Sequence, residues 1–106
     1  MKTGYTYIWE YRVRPERVDA FLEAYGPNGS WARLFRESSG YVRTELYRDR
    51  ANPLRFVTVD YWDSRESWEE FRAEHAEVFE RLDAACEAYT TDEREIGTFE
   101  LVAGPT

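Results

Sequence analysis

WDSRESWEEFRAEHAEVFERL, residues 62–82, holds the only histidine of the chain and sets the rhythm from which the fold is read. Trp68, Phe71, His75, Val78, Phe79 and Leu82 recur at helical spacing. They therefore share one stripe of an α-helix, while Arg72, Glu74, Glu77 and Glu80 mostly turn away from it. Asp63 or Ser64 suits the N-cap, with Glu66 or Ser67 in the first turn completing something near a capping box. The pattern predicts one helix running to about Tyr89, where Thr90, Thr91 and Asp92 end it. A titratable ring in an apolar stripe needs a reason. Either His75 is a base facing a cavity, or it is packed and donates one hydrogen bond to a backbone carbonyl; the spacing leaves both open.

Upstream, Tyr5, Tyr7, Trp9, Tyr11 and Val13 alternate with Thr6, Ile8, Glu10 and Arg12, the period of a strand. Pro15 stops that strand and suits the first turn of a helix whose buried face is Val18, Phe21, Leu22 and Tyr25. GPNG at 26–29 interrupts the helix, and Ser30 caps a second short piece carrying Trp31, Leu34 and Phe35. After SSG at 38–40 come two strands, YVRTELYRD and LRFVTVDYW, joined by an Asn- and Pro-containing link that suits a hairpin. EIGTFELV forms the last strand, ending before Gly104 and Pro105, with Gly97 marking a bulge or a close backbone approach.

The order is β-α-β-β-α-β, an α+β chain of the split βαβ, ferredoxin-like kind with a four-stranded antiparallel sheet. The 106 residues make one domain, 1–106, with no separating linker. Two helices can cover only one face of a four-stranded sheet, and neither strand face is cleanly polar. A second copy of the chain, packed sheet against sheet, is the economical cover, so a homodimer is expected.

Composition narrows the function. A net charge of −7, from 21 acidic and 14 basic residues, argues against nucleic acid or an anionic membrane surface as partner. One cysteine, Cys86, permits no internal disulfide and no thiolate zinc cluster, and it reads as a small buried hydrophobe. No opening stretch resembles a signal peptide and no run is long enough to cross a bilayer, so the expected compartment is the cytoplasm. Aromatic residues make up 17% of the chain, with eight tyrosines and four tryptophans. Such side chains carry a polar handle and suit cavities and interfaces. No phosphate loop, Ser–His–Asp arrangement or metal-ligand spacing is present.

WDSRESWEEF, from Trp62 to Phe71 directly after the hairpin, resembles the antibiotic biosynthesis monooxygenase domain, and the opening IWEYRVRPERVDAFLEAY fits the same pattern. The resemblance implies a dimeric α+β barrel, two ferredoxin-like subunits with their sheets face to face. In that pattern Ser64 caps the helix, and Trp68 and Phe71 anchor it. It also implies one of two chemistries. One branch oxidises phenolic or quinol-type compounds with molecular oxygen and neither metal nor flavin. The other degrades haem through an asparagine on the first strand, a tryptophan on the second helix and a histidine beyond it. The first strand here has no asparagine, and His75 follows Trp68 by only seven residues. The expected function is thus a cofactor-independent monooxygenase of a small phenolic, quinol or polyketide-like aromatic, with no cofactor and no metal. The alternatives are a non-catalytic binder or accessory dimer, an isomerase or cyclase, and a haem-degrading enzyme.

Such oxygenation needs a base, a dry pocket and groups that hold the substrate anion. His75 is the candidate base and Asp60 its orienting partner. Arg33, Arg43 or Arg55 could hold an anionic oxygen. Tyr7, Trp9, Trp31, Arg43, Tyr47 and Tyr61 are the candidate substrate-binding set. Arg43 belongs to it because its parity along the strand matches that of Tyr41 and Tyr47.

Overall fold

The computed structural model describes residues 4–104, so Pro105 lies outside the described residues. Strand β1 (Tyr5–Val13) leads through a single 3₁₀ turn (Pro15–Arg17) into α1 (Val18–Tyr25) and α2 (Ser30–Phe35). The hairpin β2 (Tyr41–Arg48) and β3 (Arg55–Trp62) follows, then α3 (Arg65–Glu74), α4 (Ala76–Cys86), a 3₁₀ turn (Glu87–Tyr89) and β4 (Thr90–Glu100). The sheet order is β2-β3-β1-β4 with every neighbouring pair antiparallel. This is the ferredoxin-like arrangement. No helix among the described residues is long and apolar enough to cross a membrane.

Register divides the sheet into two unlike faces. On the face toward the helices Tyr7 stands beside Asp60, and Asp60 beside Thr44; one step along, Trp9 stands beside Thr58 and Leu46. On the opposite face Ile8 pairs with Val59, and Glu10 with Val57. That outer face is an apolar centre between two charged clusters. Arg55 binds Glu10 and Asp49, and Arg94 reaches Glu10 from β4. These arginines, Arg55 first, hold the Glu10 carboxyl below the usual glutamate range.

The core lies between sheet and helices and is largely aromatic. Phe21 stacks on Tyr25 at 4.5 Å, and Phe35 meets Trp62, Trp68 and Phe71 edge-on. Quadrupole geometry favours such edge contacts, so each pair adds about 0.5–1.5 kcal/mol beyond the area it buries. Ser64, fully buried, caps α3 by accepting from the Ser67 amide at 3.2 Å. Gly40 lies hard against that cap: a Cβ placed there would stand 2.3 Å from Ser67 Cβ.

Two elements differ from the sequence reading. The long helix is two helices, broken at His75 (φ −115°, ψ 22°), whose carbonyl still accepts from the Phe79 amide at 2.8 Å. No proline or glycine marks this break, so periodicity alone carries no sign of it. Thr90, Thr91 and Asp92 end the helical section but already belong to β4, which pairs with β1 from Val13 onward. The bulge expected at Gly97 is present, between the Ile8 and Trp9 pairings, and Gly97 takes a φ of 156°.

Candidate active site

A cavity of about 270 Å³ lies between the inner sheet face and the helices. That is close to the lower end of typical ligand pockets, roughly 300–1,000 Å³. β1 contributes Tyr7, Trp9 and Tyr11; β2 and β3 contribute Thr44, Thr58 and Asp60. The helices supply Tyr25, Trp31, Phe35, Arg72, Phe79 and Asp83, and β4 supplies Glu93. The sheet residues share one parity, so strand alternation brings them to one wall.

Asp60 is the buried carboxyl of this cavity, 6% exposed. Burial disfavours its charged form and pushes its pKa up to about 7, opposed by a hydrogen bond from Thr44. Thr44 Oγ1 donates to Asp60 Oδ1 at 2.6 Å. The Thr44 proton is thereby committed, so the Tyr41 hydroxyl, 2.7 Å away, donates to Thr44. A carboxyl poised near neutrality in an aromatic cavity can take a proton and return it.

The surrounding tyrosines cannot do this. Burial raises the pKa of Tyr7, Tyr11 and Tyr25 well beyond the ordinary phenol value, so they stay protonated as donors. The indole N–H groups of Trp9 and Trp31 are buried and make no well-formed hydrogen bond among the described residues, with Tyr7 beside Trp9 and Tyr25 and Cys86 beside Trp31. Each unmet donor costs free energy that an oxygen atom of a ligand would recover.

Of the candidate residues named from sequence, Tyr7, Trp9, Trp31 and Asp60 meet in the cavity. Arg43, Tyr47 and Tyr61 sit together on the outer sheet face instead. Tyr47 and Tyr61 donate to Glu45 at 2.8 and 2.9 Å, and the Arg43 guanidinium lies 4.0 Å over the Tyr61 ring. The parity argument for Arg43 fails because β2 bulges at Val42, between the Tyr41–Trp62 and Arg43–Tyr61 pairings. Tyr41 consequently faces inward, against Trp62 and Phe35, while Arg43 faces outward. Arg33 is exposed and bound to the Asn28 carbonyl, and Arg55 is held in the outer ion-pair cluster.

His75 is not among the cavity-lining residues. Its ring stacks on Phe71 at 4.6 Å, and Nδ1 lies 3.1 Å from the Phe71 carbonyl oxygen, where it donates. Nε2 lies 3.9 Å from Glu37. This is the geometry of a ring that fastens a helix end.

Sequence reasoning did not place Tyr11, Tyr25, Thr44, Thr58, Arg72, Asp83 or Glu93 in the site. Tyr11, Thr58 and Thr44 were open to discovery, since each shares parity or register with Tyr7, Trp9 or Asp60. Asp83 lies four residues after Phe79, one helical turn along the stripe. Nothing local marks Glu93, which reaches the cavity only through its pairing with Tyr11.

A small ferredoxin-like domain with an aromatic cavity around a buried carboxyl is therefore the class of protein in hand. The antibiotic biosynthesis monooxygenase profile matches residues 4–82, and the chain belongs to that family. No curated protein matches the chain. Among solved structures, SnoaB, a cofactor-independent oxygenase from Streptomyces nogalater, superposes with a TM-score of 0.69 at 20% identity, over 98% of this chain and 96% of that one. PA3566 from Pseudomonas aeruginosa gives a TM-score of 0.70 at 20% identity, over 97% and 98%. SO0527 from Shewanella oneidensis gives 0.69 at 16% identity, over 95% and 93%. At these identities the likeness is one of fold.

Proposed function

We propose that the chain is a cofactor-independent monooxygenase acting on a small, flat phenolic or quinol-type compound, with Asp60 as the base. The observation that carries this reading is a buried carboxyl, its pKa raised to about 7, set in a cavity walled by aromatic rings. In this mechanism Asp60 removes a proton from the substrate, and the electron-rich anion passes an electron to oxygen. The substrate radical and superoxide recombine into a carbon–oxygen bond, Asp60 returns its proton to the peroxide, and water leaves with the hydrogen of that carbon, so that a carbonyl remains. One oxygen atom of O₂ enters the product and the other leaves as water. Trp9, Trp31 and the protonated tyrosines hold the substrate oxygens, and the rings exclude water. His75 takes no part in the chemistry; it fastens the joint between α3 and α4.

The reading includes a homodimer in the cytoplasm. Its contact is the outer sheet face, where Ile8, Val57 and Val59 form the apolar centre between the charged clusters. Oxygen uptake with a panel of hydroquinones and anthrones tests the activity. Uptake that Asp60→Asn lowers at least about a hundredfold supports it. Tight binding without any uptake would favour a non-catalytic binder.

A further inference from the structure

The charges around the cavity specify more of its ligand than the aromatic walls do. Three carboxylates line it, Asp60, Asp83 and Glu93, against one cation, Arg72. Arg72 lies 3.8 Å over the Phe79 ring and, among the described residues, forms no ion pair with any of the three. No basic side chain among the described residues pairs with Asp83 or Glu93. Burial, and then the neighbouring Asp83, Glu87 and Asp92, raise the proton affinity of Glu93, a sign of uncompensated negative charge at this end. The two ends are separate. Asp60 stands in the Tyr7 row and Glu93 in the Tyr11 row, four residues apart along β1, or about 13 Å. Between them Tyr7, Trp9 and Tyr11 succeed one another along β1, and Tyr25 and Trp31 complete the wall. Trp31 is 7% exposed, and its indole N–H, beside Tyr25 and Cys86 and without a well-formed hydrogen bond, leaves a donor open to a ligand oxygen.

We infer that the ligand is an aromatic compound carrying a protonated amine, its oxygen-bearing end beside Asp60 and its ammonium beside Asp83 and Glu93. Aromatic faces and carboxylates together recognise an organic cation, since both present negative potential to it. A neutral or anionic ring would leave the two carboxylates uncompensated. It would also place the substrate anion required for oxygenation in a field of its own sign. A ligand that brings its own positive charge removes both penalties. This inference rests on the cavity being the substrate site, as in the proposed function, and names the substrate class within it.

The test uses three two-ring probes of nearly one shape at about pH 8, where Asp60 is ionised: N-methylquinolinium, quinoline and 2-naphthoate. Calorimetric titration should show the quinolinium binding at least about tenfold more tightly than quinoline, with naphthoate weakest. Its affinity should fall as sodium chloride is added. In the Asp83→Asn, Glu93→Gln double variant, at positions open to solvent, the quinolinium should lose about fivefold or more while quinoline is unchanged. Equal affinities, a preference for naphthoate, no binding of any probe, or a quinolinium preference that survives the double variant would each overturn the inference. Failure of the oxygenase reading looks different: the quinolinium preference persists, but no phenol of the panel consumes oxygen. Conversely, Asp60-dependent uptake with no preference among the probes would leave the oxygenase standing and remove the cation.

Discussion

Thr44 Oγ1 lies 2.6 Å from Asp60 Oδ1, and both residues are buried on the inner face of the sheet. The register makes the pair inevitable: Thr44 and Asp60 are direct cross-strand partners, and Tyr7 flanks Asp60 on the other side. One donated hydrogen bond is a small recompense for removing a carboxylate from water. The carboxyl therefore keeps its proton to about pH 7 instead of losing it near the usual value of 3.8. The fold holds a destabilised group in the wall of the cavity.

That cost is measurable as a dependence of stability on pH. The folded pKa of Asp60 is raised, so its contribution is fully present below the unfolded value and is lost as pH rises through about 7. A difference of about three units corresponds to roughly 4 kcal/mol at most. Asp60→Asn should therefore unfold at a higher temperature than the native chain at pH 8, and the gap should close toward pH 4. Melting curves of both proteins across this range, monitored by circular dichroism, provide the check. A constant gap would mean that Asp60 is ionised throughout.

Thr44→Val removes the one hydrogen bond that favours ionised Asp60 while nearly keeping the shape. The pKa of Asp60 should then rise by about one further unit. Activity that depends on the ionised base should increase with pH through a midpoint displaced upward by the same amount. Thr44→Ser should restore the native midpoint. Oxygen uptake against pH measures this, and carbon-13 titration of the labelled carboxyl measures it without turnover.

Much of this arrangement was legible in the chain. Alternation in β1 placed Tyr7 and Trp9 on one wall, and the WDSRESWEEF stretch announced the Ser64 cap and the Trp68 and Phe71 anchors. Two of the failures share one kind of cause. An inserted residue at Val42 reverses the parity of everything before it in β2, so Arg43 faces outward although Tyr41 faces inward. Likewise, one non-helical pair of angles at His75 divides α3 from α4. Both are single-residue irregularities in otherwise regular elements, and period counting averages over them.

His75 tests this lesson directly. Its ring contributes a stack on Phe71 and a hydrogen bond to the Phe71 carbonyl, and it does not line the cavity. His75→Ala should cost about 1–2 kcal/mol of stability through the lost contacts. Oxygen uptake at a temperature well below the melting point should stay within about twofold of the native rate, a difference far smaller than loss of a base produces. A collapse of turnover in a fully folded His75→Ala protein would return the histidine to the chemistry.

Ile8 and Val57 lie on the outer sheet face, away from the cavity. Replacing both by Asp puts two charges into the centre of the proposed dimer contact, where they would be desolvated together. The native chain should sediment at twice the chain mass and the double variant at the single mass, with little change in its far-ultraviolet circular dichroism. A native chain that sediments as a monomer at every concentration would remove the dimer from the reading.

Gly40 tests how tightly the sheet and α3 are joined. The Asp63 amide donates to the Gly40 carbonyl at 2.7 Å, which draws the start of β2 onto the first turn of α3. A Cβ at residue 40 would stand 2.3 Å from Ser67 Cβ and 2.7 Å from Asp63 Oδ1. Neither neighbour can withdraw freely, because Ser67 supplies the amide that the Ser64 side chain caps. Gly40→Ala must therefore either push α3 off the sheet or break the cap, at a cost of about 1–3 kcal/mol. Chemical denaturation should show this as a lower midpoint with an unchanged slope. An alanine variant as stable as the native chain would mean that the strand and the helix end stand further apart than described here.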